Sequence, residues 1–324
     1  MNKLTKLMLA LMMLAIPVSF ALATPTKAPQ EANPFPLLRT AANTGYTGTL
    51  TAYTGSLNLT TANATYEDLI FPGRINIKAN NITISNCLIE LAPGPGGDGE
   101  SYGLVNVDFL NGAGYYTGLV VKDCEFIGGK SSSILVSQGS FIRCNFHTTG
   151  ADAIKAKGCS EGDRVLIKNC YIHDIGRLSY NTITNAHSDG TQIRRNGSAT
   201  TGTGGDLHFI GCNFDLYPLL GNSLYVAPNA CAIVQTAEAD GIFGEVLFKD
   251  CYLGGGNFVM YFTDKGAGYG NVDDWNLIDN VWRANEWVSG PLTFDGPIGT
   301  ITGNRRLDTG VPCDALLDGA TNTW

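Results

Sequence analysis

The chain has 324 residues, with 21 Lys and Arg against 29 Asp and Glu, a formal net charge of −8. That balance argues against nucleic acid as the main partner, since a polyanion is held by a basic face. Forty glycines, and the absence of long stretches with helical periodicity, leave strands and turns as the dominant structure.

At the N-terminus, Lys3 and Lys6 precede an apolar run, Leu7 to Leu22, that closes on the small-x-small pattern Ala21-Leu22-Ala23. This is the pattern of a cleaved secretory signal over residues 1–23. The run is short and contains Pro17, which argues against a membrane anchor. No insertion after cleavage is expected, and the destination is periplasmic or extracellular. No Cys follows the run, so a lipid anchor is not indicated. Cleavage leaves 324 less 23, or 301 residues, and removes two lysines, so 19 basic residues face 29 acidic ones, a net −10. Residues 24–40 are rich in proline and poor in packing residues, and they read as a linker. The remainder, 41–324, forms one domain.

Within that domain one phrase recurs. ITISNCLI, LVVKDCEF, SFIRCNF, VLIKNCYI, LHFIGCNF and VLFKDCYL place Cys87, Cys124, Cys144, Cys170, Cys212 and Cys251 in one slot. WNLIDNVW and GTITGNRR put Asn280 and Asn304 there. Counting that slot as zero, apolar residues fall at −5, −3 and +2, with Asn, Asp or Gly frequent at −1. The phrase describes a strand, a bend that resets the alternation, and a second strand. Stacked copies bring the six cysteines into one interior column, where a free thiol behaves as a small apolar side chain. Stacked thiols are therefore expected; the competing reading is a disulfide framework, although nine cysteines is an odd number. Copies are spaced by 20 to 42 residues, the range of a solenoid whose coils bury their faces on their neighbours. The fold class is all-β, a single-stranded right-handed parallel β-helix. Trp275 and Trp282 fall in inward slots near its end.

A second strand follows each phrase. SSILVS (132–137), DAIKAK (152–157), DGTQIR (189–194), NSLYVA (222–227) and NFVMYF (257–262) align without gaps. Third and fifth residues face inward; first, fourth and sixth project outward. The fourth column reads Leu135, Lys155, Gln192, Tyr225, Met260, the sixth Ser137, Lys157, Arg194, Ala227, Phe262, and the first Ser132, Asp152, Asp189, Asn222, Asn257. Charged and polar residues concentrate in the middle coils, under a long insertion between Cys170 and Asp189.

LTAYTGSLNLTTANATYEDLIFPGRINIKANNITISNCLI (50–89) resembles the opening coils of secreted bacterial right-handed β-helix proteins, the pectate-lyase-like superfamily. CYIHDIG followed by AHSDGTQI is similar to a His-x-Asp-x-x-Gln pattern in the same group. The likeness covers most of residues 45 to 260 and implies the fold, with polysaccharide lyases and glycoside hydrolases among the activities. The complete catalytic signature of a pectate lyase or a polygalacturonase is not present, and fold does not fix function.

An acidic polysaccharide is the expected partner of a monomeric protein of this kind. Eliminative cleavage beside a uronate needs its carboxylate neutralised, a base for the C5 proton and an acid for the leaving oxygen. Arg194, Lys157 or Ca²⁺ can neutralise; Lys155 or His187 can act as base; Tyr225 or His187 can donate. A Lys base needs its pKa lowered, which crowding by Lys157 and Arg194 would favour. Gln192, Arg195 and Asn222 complete a substrate-binding patch whose local field is positive at Lys155, Lys157, Arg194 and Arg195. Asp152 and Asp189, on successive copies with Asp174 or Asn222 nearby, can hold Ca²⁺ through oxygens or serve as the acid and base of a hydrolase. Set against these are turn-capping roles for both aspartates and surface-ladder roles for Gln192 and Arg194. A third reading is a non-catalytic glycan-binding or structural protein. Tyr115, Tyr116, Tyr217 and Tyr225 are candidate stacking surfaces for sugar rings. His147 and His208 read as structural and His173 as closing a loop. No pair of His or Cys shows zinc-ligand spacing on an exposed strand.

Overall fold

The structure, a computed structural model, describes residues 36–93, 100–107, 115–157, 160–180, 188–194, 205–216, 230–235, 243–256, 258–263, 272–283, 290–295 and 299–314. All of them belong to the second of the chain's two compact units, Phe35–Trp324. The expected signal, and the linker as far as residue 35, lie outside the described residues.

Among the described residues the protein is a parallel β-helix. Each coil visits three sheets in turn, here called A, B and C, with ten strands in A and nine each in B and C. Every strand pairs in parallel with its equivalents one coil away. Sheet C holds the strand before each recurring Cys or Asn, sheet A the strand after it, and sheet B the second recurring strand. No helix among the described residues is long and apolar enough to cross a membrane.

The corner between sheets C and A explains the recurring phrase. Asn86, Asp123, Arg143, Asn169, Gly211, Asp250, Asp279 and Gly303, the residues at −1, all take positive φ, between 51° and 72°. That left-handed conformation is accessible to Gly, Asn and Asp, whose short polar side chains bond locally. At Gly303 a Cβ would stand 2.0 Å from Asp279 Oδ1, so any other residue there would have to push that side chain aside. Arg143 is the exception in residue type. Its guanidinium forks onto the Asp123 carboxylate of the preceding coil through two bonds of 2.6 Å, which offsets the backbone strain.

One left-handed residue turns the chain without losing inward alternation. Val165, Ile167, Cys170 and Ile172 are all fully buried, as are Leu207, Phe209, Cys212 and Phe214 in the next coil. Phe209 stacks on Phe248 with ring centroids 4.6 Å apart, and Phe126 on Phe146 at 4.9 Å. Trp275 and Trp282 are buried where expected. Cys87, Cys124, Cys144, Cys170, Cys212 and Cys251 are buried free thiols, joined by Cys313. Most of their Sγ atoms lie near main-chain carbonyls, and Cys170 Sγ accepts the Cys144 N–H at 3.3 Å. Alkylation of the unreduced protein is therefore expected to leave these seven untouched in the fold and to label all of them once denaturant is added, read by intact mass. A mass unchanged by alkylation in denaturant, yet increased after reduction, would mean disulfides instead.

Two of the expected strand placements change in sheet B. The strand beside Asp189–Arg194 is Ala230–Gln235, with Asp189 against Ala230 and Gln192 against Ile233; residues 222–227 lie outside the described residues. Only one segment per coil can take the rung. The Ala230–Gln235 run carries the apolar series Ala-Cys-Ala-Ile-Val, whereas 222–227 runs into Pro228, which donates no main-chain hydrogen bond. The following strand is Phe258–Thr263, and Ala232 pairs with Met260 and Ile233 with Tyr261. Tyr261, not Met260, thus continues the Gln192 column. The one-residue shift sends Met260 inward, where it is fully buried.

The N-terminal edge of the described chain is not a free linker. Tyr252 donates to Pro36 O at 2.9 Å, Asn213 Nδ2 to Arg39 O at 2.7 Å, Gly45 N to Arg143 O at 2.9 Å, and Asn86 exchanges two bonds with Thr47. Residues 36–47 therefore run as a strap along several coils of sheet A. Asn213 and Asn145, on the outer face of that sheet, are buried.

Candidate functional site

The register brings part of the expected patch together. Lys155 lies beside Gln192 and Lys157 beside Arg194 on adjacent strands of sheet B, with Ile154 beside Thr191. Asp152 stands at the equivalent place to Asp189, one coil earlier, about 4.8 Å away along the axis. His187, Arg195, Asn222 and Tyr225 lie outside the described residues. For Arg194 the main-chain position alone is described.

Asp152 begins its strand at a corner. Ala153 and Ile154 both enter the core, which breaks the alternation and turns Asp152 away from it. Its Oδ1 accepts the Asp189 main-chain N–H at 3.0 Å, and its Oδ2 lies 3.2 Å from Lys155 Nζ. Lys155 Nζ also donates to Ser131 Oγ at 2.6 Å. The neighbours of the Lys155 side-chain nitrogen are thus a carboxylate and a hydroxyl. A calcium ion at Asp152 would have to displace that ammonium. Asp174, expected near this pair, bonds to His173 Nδ1 at 2.7 Å instead, and that imidazole holds its carboxyl below the usual range.

The patch is also less exposed than an outward column implies. Asp152, Asp189 and Gln192 are 2%, 0% and 5% exposed, while the Lys155 side chain retains 15%. Gln192 Oε1 is buried without a hydrogen-bond partner, an acceptor with unused capacity. Described apolar side chains border the polar group on one side. Leu135 packs there with Val105, Val107 and Tyr102, and on the other side the main chain of Ile233 and Tyr261 continues the column. Among the described side chains of this column, Lys155 and Gln192 are the polar ones.

Tyr115 is not an open stacking surface. Its hydroxyl bonds Asp163 and accepts the Ser160 N–H, and burial together with the Asp163 carboxylate pushes its pKa up to about 12. On sheet A, His173 stacks on His147 at 4.9 Å and on Tyr171 at 4.1 Å. His147 meets Glu125 at 2.7 Å and His173 meets Asn145 at 3.0 Å. Further along, Asp215 takes Arg283 at 2.7 Å and the Tyr171 hydroxyl at 3.2 Å. Arg283 reaches it across Gly254, where a Cβ would stand 2.4 Å from its Cδ.

A cluster not anticipated from sequence lies on sheet C. Asp206, His208 and Glu245 bring one ligand atom each within 4.8 Å of the others, the one such group of three among the described residues. Asp206 and His208 are two positions apart, but Glu245 comes 37 and 39 positions later on the next coil, so no local spacing announces the three together. Asp206 pairs in register with a residue of the strand Phe243–Lys249 only because the coil closes between them.

Comparison with protein-family models, with curated proteins and with solved structures finds no match. The fold and these side chains therefore carry the functional argument.

Proposed function

We propose that this is an exported carbohydrate-active β-helix protein that takes an acidic polysaccharide on the outer face of sheet B and cleaves it by β-elimination. The observation that carries the reading is the pairing of Lys155, a cation steadied by Asp152 and Ser131, with Gln192, whose buried Oε1 lacks a partner. A uronate carboxylate competes for the Lys155 ammonium, and a sugar hydroxyl donates to Gln192 once its side chain turns out of its buried place. Lys157 and Arg194, next along the same strands, extend the positive field. Proton transfer is assigned to His187 and Tyr225, with Arg195 and Asn222 as further contacts.

A second reading has one observation in its favour. Asp152 and Asp189 sit at equivalent places on adjacent coils, close to the carboxyl separation of about 5–5.5 Å used by retaining glycosidases. The lyase reading is preferred because Asp152 is already committed to Lys155 and to the Asp189 N–H.

A screen of polyuronates and neutral glycans, read together by ultraviolet absorbance of unsaturated ends and by reducing ends, separates them. Elimination raises both signals on a polyuronate. Reducing ends without absorbance select hydrolysis, and neither signal with retained binding selects a glycan-binding protein. On the responsive polymer, Lys155→Ala is expected to weaken KM by about 10-fold to 100-fold, the worth of one charge-assisted contact. An unchanged KM in a variant that still folds would remove Lys155 from the site.

A further inference from the structure

We propose that Asp206, His208 and Glu245 form a binding site for a zinc-class divalent metal ion on the outer face of sheet C, clipping two adjacent coils together.

The donor set is one imidazole and two carboxylates on neighbouring rungs. Asp206 and His208 are two apart on the strand Asp206–Ile210 and so share its outer face. Glu245 comes from the adjacent strand, where the pairing of Leu207 with Val246 puts it beside Asp206, and its N–H donates to Asp206 Oδ1 at 3.3 Å. His208 Nε2 is 2.7 Å from Glu245 Oε2 and 3.9 Å from Asp206 Oδ2. Ligands about 2.0–2.1 Å from a tetrahedral ion stand about 3.3 Å from one another. The two observed separations bracket that value, so small side-chain rotations make room for the ion without moving a strand.

The surroundings favour a cation. Directly opposed like charges destabilise a sheet, and Asp206 and Glu245 are such a pair. Asp274 follows Glu245 in the same register, placing a third acidic residue in the column. Arg164 precedes Asp206 in that column, and His208 Nε2 stands 3.9 Å from Asp206 Oδ2. Glu245 is held from behind, since Asn276 Nδ2 donates to its Oε1 at 2.7 Å and leaves Oε2 facing His208. Asn276 is itself fixed by the Thr300 N–H on its Oδ1 at 2.7 Å. Outer partners of this kind orient metal ligands.

The chemistry selects the ion. An imidazole with few oxygens suits Zn²⁺, Co²⁺ or Mn²⁺, whereas Ca²⁺ takes six to eight oxygens. His208 is 9% exposed, but the Asp206 and Glu245 side chains are 45% and 32% exposed. The site thus has a route to solvent and a position left for water.

The test is thermal melting of the purified full chain in Zn²⁺ and in chelator, with the visible spectrum of added Co²⁺. Zn²⁺ is expected to raise the melting temperature in a concentration-dependent way. Co²⁺ is expected to give the ligand-field bands of a four- or five-coordinate site without thiolate charge transfer. His208→Gln removes both effects. Asp206→Asn, a change at a half-exposed residue, weakens them at least 10-fold and keeps the chelator melting temperature should His208→Gln fail to fold. Asn276→Ala weakens Zn²⁺ by about 10-fold to 100-fold. The proposal is overturned by equal melting with Zn²⁺ and chelator, by thiolate bands with Co²⁺, or by stabilisation surviving in His208→Gln or undiminished in Asp206→Asn. Stabilisation by Ca²⁺ and not by Zn²⁺ overturns it equally.

Discussion

Asn304→Ala is expected to cost about 4 kcal/mol and to unravel the solenoid from its C-terminal end. The fully buried Asn304 side chain is the hub of the last corner. Its Oδ1 accepts from Asn280 N, Asn280 Nδ2 and Trp282 Nε1 at 3.2, 3.0 and 3.3 Å. Its Nδ2 donates to Leu277 O at 2.7 Å and Asp314 Oδ1 at 2.9 Å. Alanine leaves several of these groups buried without a partner, each worth about 1–3 kcal/mol when not rescued by water. Neighbouring coils stabilise one another in series, so the loss spreads from the end inward. Asn304→Cys is expected to cost less than half as much, because six earlier coils hold a thiol in this slot and Cys170 Sγ already accepts a main-chain N–H. Denaturant unfolding of both variants, followed by Trp fluorescence and by far-ultraviolet dichroism, checks the ranking. Equal losses for Ala and Cys would mean that volume, not hydrogen bonding, governs the slot.

Asp152→Ala is expected to destabilise by about 3 kcal/mol. It strips the partner from an ammonium that is mostly withdrawn from water and from the Asp189 N–H. Breaking one side of a buried pair costs about 3–5 kcal/mol, and the low end applies because the Lys155 side chain keeps 15% exposure. The double change Asp152→Ala with Lys155→Met should recover about 1–2 kcal/mol, since the stranded charge is then gone. A double-mutant cycle in urea measures this coupling. Additive losses would show that the pair contributes nothing beyond its separate parts, and the role of Asp152 would reduce to capping Asp189.

The coils were legible in the sequence to a useful depth. Residue types at −1, zero and +2 specify the corner because each answers a local demand: a left-handed residue, a small inward side chain, then a large one. Asn169, Cys170 and Ile172 meet those demands, and so do Asp279, Asn280 and Trp282. Half of the sheet B patch was legible for the same reason. Lys155 and Gln192 lie on segments where one strand candidate per coil exists, so gapless alignment gave their true pairing. The next coil offered two candidates, and gapless alignment took 222–227 where Ala230–Gln235 forms the rung.

By itself the sequence determined the solenoid, its thiol column, the residue types of its corners and the inward places of the strands that flank them. All of these follow from alternation and single-residue backbone preferences, which act within a few positions. Only the tertiary structure decided that Asp152 clamps Lys155 while capping Asp189. It likewise decided that Asp206, His208 and Glu245 meet on sheet C, and that Arg39 and Pro36 are held by Asn213 and Tyr252 at separations of 174 and 216 residues. Contacts at such separations depend on how many residues each coil spends between its rungs, and coil lengths that vary from 20 to 42 residues carry no fixed spacing from which to read them.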